Sequence, residues 1–534
     1  MRFPFDGPFP MRAAALNPRG SAAPARPLRA AHADPPVIMI TLTTMLGLIM
    51  AIVDTSIVNV ALTNMAGTLG ASIDEIGWVA TGYILANVVI MPLNGWLTAR
   101  FGRRTYYAAC IAIFTLSSFL CGTATNVWQL VAYRVIQGLG GGALQPTAQA
   151  ILFESYPPDK RSGAMAIFGL GAMVGPALGP VLGGVIIDNF SWPLIFFINI
   201  PIGMIAFLMT LRYIRDPAYI VRDDSRIDWF GLGIMTAGLA SLQYILERGQ
   251  HDDWFNSSTI VVMSAIAFIG IIGFVVRELR VSNPLVDLTV FLSRSFTAGN
   301  IIGIVSGFGL YGLNLVIPLF LQNVLGFDAT LTGLALLPGA IATAISMPIA
   351  GRMARFVDAR ASIATGLAMF AAGSWMLGYL NANAGIGDIF WPRVLQGFAL
   401  GFLFVPLTTA TLASVPRARM SNATGLYTLV RQLGGGFGIA ILQLVQQRSE
   451  DTHYAVLASG VTAANPAVSA MLHGAANVGA RLSQLEGIVT LNAAVMSYND
   501  VFRLCGLVFV LSIASVFLLS GKRAPAAEPA LIAE

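Results

Sequence analysis

Asp54, in the stretch IVDTSIVNVAL (52–62), is the only acidic residue well inside any of the long apolar runs of this 534-residue chain. A charge at the centre of a bilayer costs about 2.5 to 3.5 kcal/mol on insertion scales, so an embedded ionisable group is a functional candidate by default. A carboxyl group there can take up a proton and release it, burial favouring the neutral form and a nearby cation the charged one. Arg134, in RVIQG (134–138), sits at a similar depth in another run, so the two can meet. Two readings stay open, a proton carrier and a static buried ion pair. Carriage is favoured, because no second embedded acid is available and a charge pair kept in lipid for stability alone gains little. Glu154 and Glu247 sit at run ends where water reaches them. His32, His251, His453 and His473 lie outside the runs, which excludes a histidine relay.

The remaining chemistry is sparse. No GxxxxGK[ST] phosphate loop occurs, since Gly521-Lys522 lacks its upstream glycine, so ATP is not the energy source; no cofactor is expected and a proton gradient takes its place. Cys110, Cys121 and Cys505 are odd in number and lack metal spacing, so neither a metal site nor a disulfide framework is expected. No catalytic constellation appears, and the chain reads as a secondary active transporter and not an enzyme. Arg393 and Arg431 are embedded in the second half without a deep acid; with Gln396 and with Asn300, Asn314 and Gln322 on one run they are candidates for a substrate cavity. Helix-to-helix hydrogen bonding accounts for such residues equally well. Arg393, close to Asp388, suits the structural role better and Arg431 the substrate role. Gly171, Gly175, Pro176, Gly179, Pro180, Gly183 and Gly184 fall in one run, a pattern for close helix contact or for a bend that seals a moving seam.

The elements that must hold these residues follow from composition. With 56% hydrophobic and 11% charged residues the chain is no water-soluble globule. Its runs are near the ~20 residues that cross a ~30 Å hydrocarbon layer and do not alternate as barrel strands do. Fourteen spans are expected: 37–62, 76–97, 105–123, 127–151, 164–187, 194–213, 229–246, 260–276, 298–321, 333–353, 363–380, 389–413, 423–444 and 501–519. Of the 31 basic residues 24 lie in the tails and even-numbered connections, counting Arg212 and Arg352 at the span ends that border them, which predicts both termini in the cytoplasm and segment 446–500 outside as a helical hairpin, an ordered loop or a docking surface. Residues 1–36, with five Arg among Pro and Ala, read as a disordered basic cytoplasmic tail, with Met11 as an alternative start; the bases are too dispersed for nucleic acid.

The chain also repeats itself. At an offset of 259, Arg134, Gln137 and Gly138 recur as Arg393, Gln396 and Gly397, Pro157 as Pro416, and Gly175 and Gly179 as Gly434 and Gly438; at 256, Pro92 and Gly95 recur as Pro348 and Gly351. The repeat predicts a six-helix bundle over 37–215, two extra spans over 216–290, a second bundle over 291–520 and a short cytoplasmic tail, 521–534. Two bundles with a seam between them imply alternating access.

GWLTARFGRR (95–104), RVIQGLGGG (134–142), GPVLGG (179–184) and IVDTSIVNVAL together resemble the major facilitator superfamily in its fourteen-spanner drug:proton antiporter branch, and FFINIPIG (196–203), LERGQHDDWF (246–255) and LQGFALGFLFVPLTT (395–409) are similar to the EmrB/QacA-like multidrug efflux transporters, closest to the EmrB group. The resemblance implies an all-α polytopic membrane protein of the bacterial inner membrane that exports small amphipathic compounds in exchange for protons. It implies proton coupling by Asp54 and Arg134, an antiporter helix carrying Gly175, Pro176, Gly179, Gly183 and Gly184, and an inner gate of Gly95, Arg100, Gly102, Arg103 and Arg104. It further implies a membrane-fusion adaptor and an outer-membrane channel as partners beside small-molecule substrates and the lipid bilayer. Ala99 stands where the gate motif has Asp, Trp192-Pro193-Leu194 departs from the Trp-Arg-Trp pattern, and Thr63 replaces a customary Pro. A dedicated exporter of one metabolite, siderophore or organic acid is the alternative on the same fold.

Overall fold

The computed structural model describes residues 35–217, 219, 227–462, 465, 466, 468, 469 and 478–519. The expected tails at 1–36 and 521–534 lie outside the described residues, apart from Pro35 and Pro36.

Among the described residues the fold is all-helical. The first half holds α1 (Val37–Leu69), α2 (Ile73–Ile90), α3 (Asn94–Phe101), α4 (Arg103–Gly122), α5 (Val127–Ser155), α6 (Arg161–Asn189), α7 (Leu194–Phe197) and α8 (Asn199–Tyr213). Next come α9 (Trp229–Arg248) and α10 (Ser258–Glu278). The second half holds α11 (Arg294–Asn323), α12 (Ala329–Met353), α13 (Ala359–Leu377), α14 (Ile386–Ala413), α15 (Met420–Ser459) and α16 (Val478–Val516).

Each of the fourteen expected spans falls on helix, yet only eleven helices among the described residues are long and apolar enough to cross a membrane, twelve with one bent pair. α5 and α13 are the two that fall short. α5 carries buried Arg134, Gln137 and Gln149, and α13 is diluted by Ala, Gly and Ser and begins beside Arg360, which lowers the hydropathy of both. Both pack closely on other helices, surroundings in which polar side chains can serve helix-to-helix contact.

Breaks and extensions also depart from the expected spans. Span 76–97 is two helices, α2 and α3, bent by 65° at Pro92. Span 194–213 is interrupted at Ile198, three residues before Pro201, whose ring cannot donate a backbone hydrogen bond. α15 runs to Ser459 and α16 starts at Val478, far past the expected ends at 444 and 501, because polar residues such as Gln446, Gln447 and Arg448 end the apolar signal without ending helix propensity. At 40 residues α15 is about 60 Å long at 1.5 Å per residue, twice the hydrocarbon thickness. His453 Nε2 and Asp500 Oδ2, 2.7 Å apart, join the two extensions.

Helix neighbours repeat between the halves. α1 packs on α6, α5 and α8, and α11 on α15, α14 and α16; α2 packs on α5 as α12 does on α14; α4 packs on α5 and α8 as α13 does on α14 and α16. α9 lies between α10, α2 and α15 and so touches both halves.

Candidate functional site

Asp54 ends up at the meeting point of α1, α4, α5 and α8, with no solvent exposure, and Arg134 is 1% exposed. Arg134 Nη1 donates to Asp54 Oδ2 at 2.6 Å and to Gln137 Oε1 at 2.6 Å, and its Nε donates to the Val79 carbonyl at 3.2 Å. The other carboxylate oxygen, Oδ1, accepts from Gln137 Nε2 at 3.1 Å and from Asn199 Nδ2 at 2.8 Å. Ser118 Oγ accepts from both amides, at 2.6 and 3.1 Å. Tyr83 lies under the guanidinium, its ring centre 4.1 Å from Arg134 Cζ. The Asp54 side chain thus accepts three hydrogen bonds, one of them from a guanidinium, so its position is fixed by groups that can each be moved or replaced.

Asp54 and Arg134 are thus brought together, and Gln137 of the repeated RVIQG joins them. Asn199 and Ser118 were not singled out by residue type. Asn199 belongs to FFINIPIG, where an amide next to a helix-interrupting Pro inside an apolar run was the signal available.

The glycines of α6 flank the same carboxylate. A Cβ added at Gly175 would lie 2.8 Å from the Ile52 carbonyl carbon, one at Gly179 would meet Ser56, and one at Gly183 would come within 3.1 Å of Ile57 Cγ1. Glycines four apart therefore let α6 touch the α1 backbone on both sides of Asp54. Gly184 has open space around it, and Pro176 lies in the same helix.

At the gate motif Gly95 packs on Asn422 of α15, 2.8 Å from its Cα to an added Cβ. Asn94 Nδ2 donates to the Ser421 carbonyl at 2.9 Å and its Oδ1 accepts from Thr147 Oγ1 at 2.6 Å, so this end of the seam is clasped. Gly102 adopts φ +81° before α4, a left-handed turn that suits glycine. Arg103 Nη1 donates to Glu154 Oε2 at 2.6 Å, the Tyr219 hydroxyl also donates to Glu154, and the Arg104 amide donates to Asp216 Oδ1 at 2.8 Å. Glu154 is therefore not water-facing as its span-end position suggested: its side chain is 7% exposed, covered by Arg103 and Tyr219. Burial pushes the Tyr219 phenol up to about 12. With Ala99 in the motif, Glu154 and Asp216 supply the carboxylates around these arginines. Arg100, at the end of α3, is half-buried.

The second-half candidates do not converge. Arg393 Nη1 donates to Gln396 Oε1 at 2.9 Å and Gln396 Nε2 donates to Ser374 Oγ at 3.1 Å, but Asp388 caps its own helix at Gly385 and makes no pair with Arg393. Arg393 Nε is buried without a partner. Arg431 is buried over Phe404, 5.1 Å from its ring centre, with no ion pair among the described residues. Asn300 donates to the Phe296 carbonyl of its own helix, while Asn314 and Gln322 are exposed on α11. Cys110, Cys121 and Cys505 are free and buried, and no metal-binding cluster occurs among the described residues.

A family model described as Major Facilitator Superfamily matches residues 44–439. The chain is 35% identical over 486 residues to the multidrug export protein EmrB of Escherichia coli K12, covering 90% of this chain and 95% of that one. It is also 35% identical over 489 residues to the fatty acid resistance protein FarB of Neisseria gonorrhoeae, again 90% and 95% of the two chains. The solved human organic anion transporter MFSD10 (TETRAN) superposes with a TM-score of 0.55 at 15% identity over 89% of this chain and 100% of that one, which bears on the fold alone.

Proposed function

The chain belongs to the Major Facilitator Superfamily, as a multi-pass membrane transporter and not an enzyme, and from that premise we propose that it exports small amphipathic compounds in exchange for protons, by alternating access of its two halves. Relatives named for multidrug export and fatty acid resistance support this cargo class. The observation that carries the proton step is Asp54, a carboxylate with no solvent exposure whose partners come from two other helices, α5 and α8. When the halves rock, α1 slides on the α6 glycines, the distance to Arg134 changes, and the carboxyl group trades one cation for a proton. A proton moving down ~100 mV releases about 2.3 kcal/mol, enough to hold a gradient of roughly fifty-fold for a neutral solute. No cofactor is needed beyond that gradient.

The basic loops support an orientation with both termini in the cytoplasm of a bacterial inner membrane. In that orientation the Asn94–Ser421 clasp closes the cytoplasmic end and the extensions of α15 and α16 stand outside, where an adaptor that leads to an outer-membrane channel would dock. The test is export of a loaded dye from energised vesicles. Collapse of the pH difference and the voltage stops it under this reading, and unchanged export after collapse overturns it.

Arg431 favours a narrower second reading, the dedicated exporter of one anionic compound. A buried guanidinium over the Phe404 ring, with no ion pair among the described residues, suits an acidic cargo. A resistance panel in which a single compound is rescued would select that reading.

A further inference from the structure

α6 and α12, one from each half, line an open cavity of about 580 Å³ at the end of the seam that bears the basic loops. Lys160 just before α6 and Arg352 near the end of α12 stand at its mouth, and neither has an ion pair among the described residues. Arg355 lines the same opening. Its wall is apolar, built from Ile167, Leu170 and Pro348 with the exposed Phe356 ring at the rim. Behind it the halves touch, an added Cβ at Gly351 lying 3.0 Å from Ala166 and 3.3 Å from the Ser162 carbonyl.

We propose that this cavity holds an anionic phospholipid, its headgroup phosphate between Lys160 and Arg352 and an acyl chain along Ile167 and Leu170. The depth decides the occupant: cations that follow directly on apolar helix surface lie where bilayer headgroups lie, and basic pockets between transmembrane helices suit acidic headgroups. The exposed aromatic at the rim suits the same interfacial layer. Because the cavity spans both halves, the lipid ties α6 to α12 and favours the arrangement in which this end of the seam is closed.

The test uses the full chain purified in neutral detergent and offered phosphatidylglycerol or phosphatidylcholine, with retained lipid counted by native mass spectrometry. The parent is expected to prefer phosphatidylglycerol, and the Lys160→Gln, Arg352→Gln double variant to lose that preference by roughly tenfold or more, since both basic groups near the headgroup are removed together. Arg481→Gln, on the far extension of α16, should keep it. Both replaced side chains of the double variant are exposed, and monodisperse elution at the parent's melting temperature identifies folded protein. Equal retention of the two lipids by the parent, survival of the preference in the double variant, or displacement of the lipid by millimolar inorganic phosphate would each overturn the proposal. None of these readouts depends on transport.

Discussion

The Arg-x-x-Gln pair occurs in both halves, and only in the first does it face a carboxylate. At Arg134 the guanidinium meets Asp54 and Gln137, and the amides of Gln137 and Asn199 complete the shell. At Arg393 the matching bonds to Gln396 and on to Ser374 are made, but Nε is left without a partner. The helix contacts locate the missing group. Gly175 and Gly179 abut Ile52 and Ser56 of α1, and Gly434 and Gly438 abut Ile304 and Phe308 of α11, so the position equivalent to Asp54 is Ser306. Its hydroxyl donates to the Gly303 carbonyl of its own helix at 2.9 Å. The two halves keep one framework, while only the first places a carboxylate beside the repeated arginine.

The largest effect should come from the arginines themselves. Arg134→Gln strands a buried carboxylate, a change worth about 3 to 5 kcal/mol in buried pairs, and should abolish uphill export in energised vesicles; Arg393→Gln removes no partner of a carboxylate and should leave export within about three-fold. Equal losses in the two would break the comparison. Next, Gly175→Val and Gly434→Val should both lower thermal stability, each by about 1 to 3 kcal/mol from overpacking against the opposing backbone, whereas Gly184→Ala, with open space, should not. A difference between the first two would show that the shared framework is not equivalent. Third, Asn199→Ala removes a donor to Asp54 and should slow uphill export in energised vesicles by roughly ten-fold, a hydrogen bond to a charged group being worth about 1.5 to 3 kcal/mol before relaxation. Ser374→Ala in the second half should leave the rate within about two-fold.

The smallest effect concerns the connection that touches both halves. His251 Nε2 lies 2.7 Å from Asp74 at the start of α2 and Nδ1 2.9 Å from Asp252, while neighbouring Gln250 bonds Gln447 of α15. Hydrogen bonds to Asp252 and then Asp74 raise the imidazole above its usual value, and Arg248 opposes them. A raised value means that the tie is fully present below about pH 6.5 and is lost as pH climbs through the folded-state value. The melting temperature of the parent should exceed that of His251→Gln slightly at pH 6, and the gap should close by about pH 8; half exposure keeps it small. A gap that widens with pH would reverse the assignment.

Asp54 was legible because an acid in an apolar run has few reasons to be there, and Arg134 and Gln137 because a repeat marks what both halves share. Asn199 was not, since an amide among apolar residues reads as helix-to-helix bonding until the break at Ile198 and the rotation of α8 are known. The dispersal of Arg393, Arg431, Asn300, Asn314 and Gln322 has a similar origin: Asn300, Asn314 and Gln322 lie within about 80° of one another around α11, yet Asn300 is buried and the other two are exposed, because what covers one face changes along the helix and periodicity does not report it. Helix beyond the apolar ends of α15 and α16 was expected as a hairpin over 446–500, but hydropathy reports the lipid layer and nothing past it, so it gave no sign that the hairpin continues the spans as single helices.

Proton release on cargo binding reports the role proposed for Asp54 most directly. Purified protein in weakly buffered solution, given an exported dye, should release a proton stoichiometrically with binding, and Asp54→Asn should bind the dye without release. Undiminished release from Asp54→Asn would contradict the account and place the proton on another group.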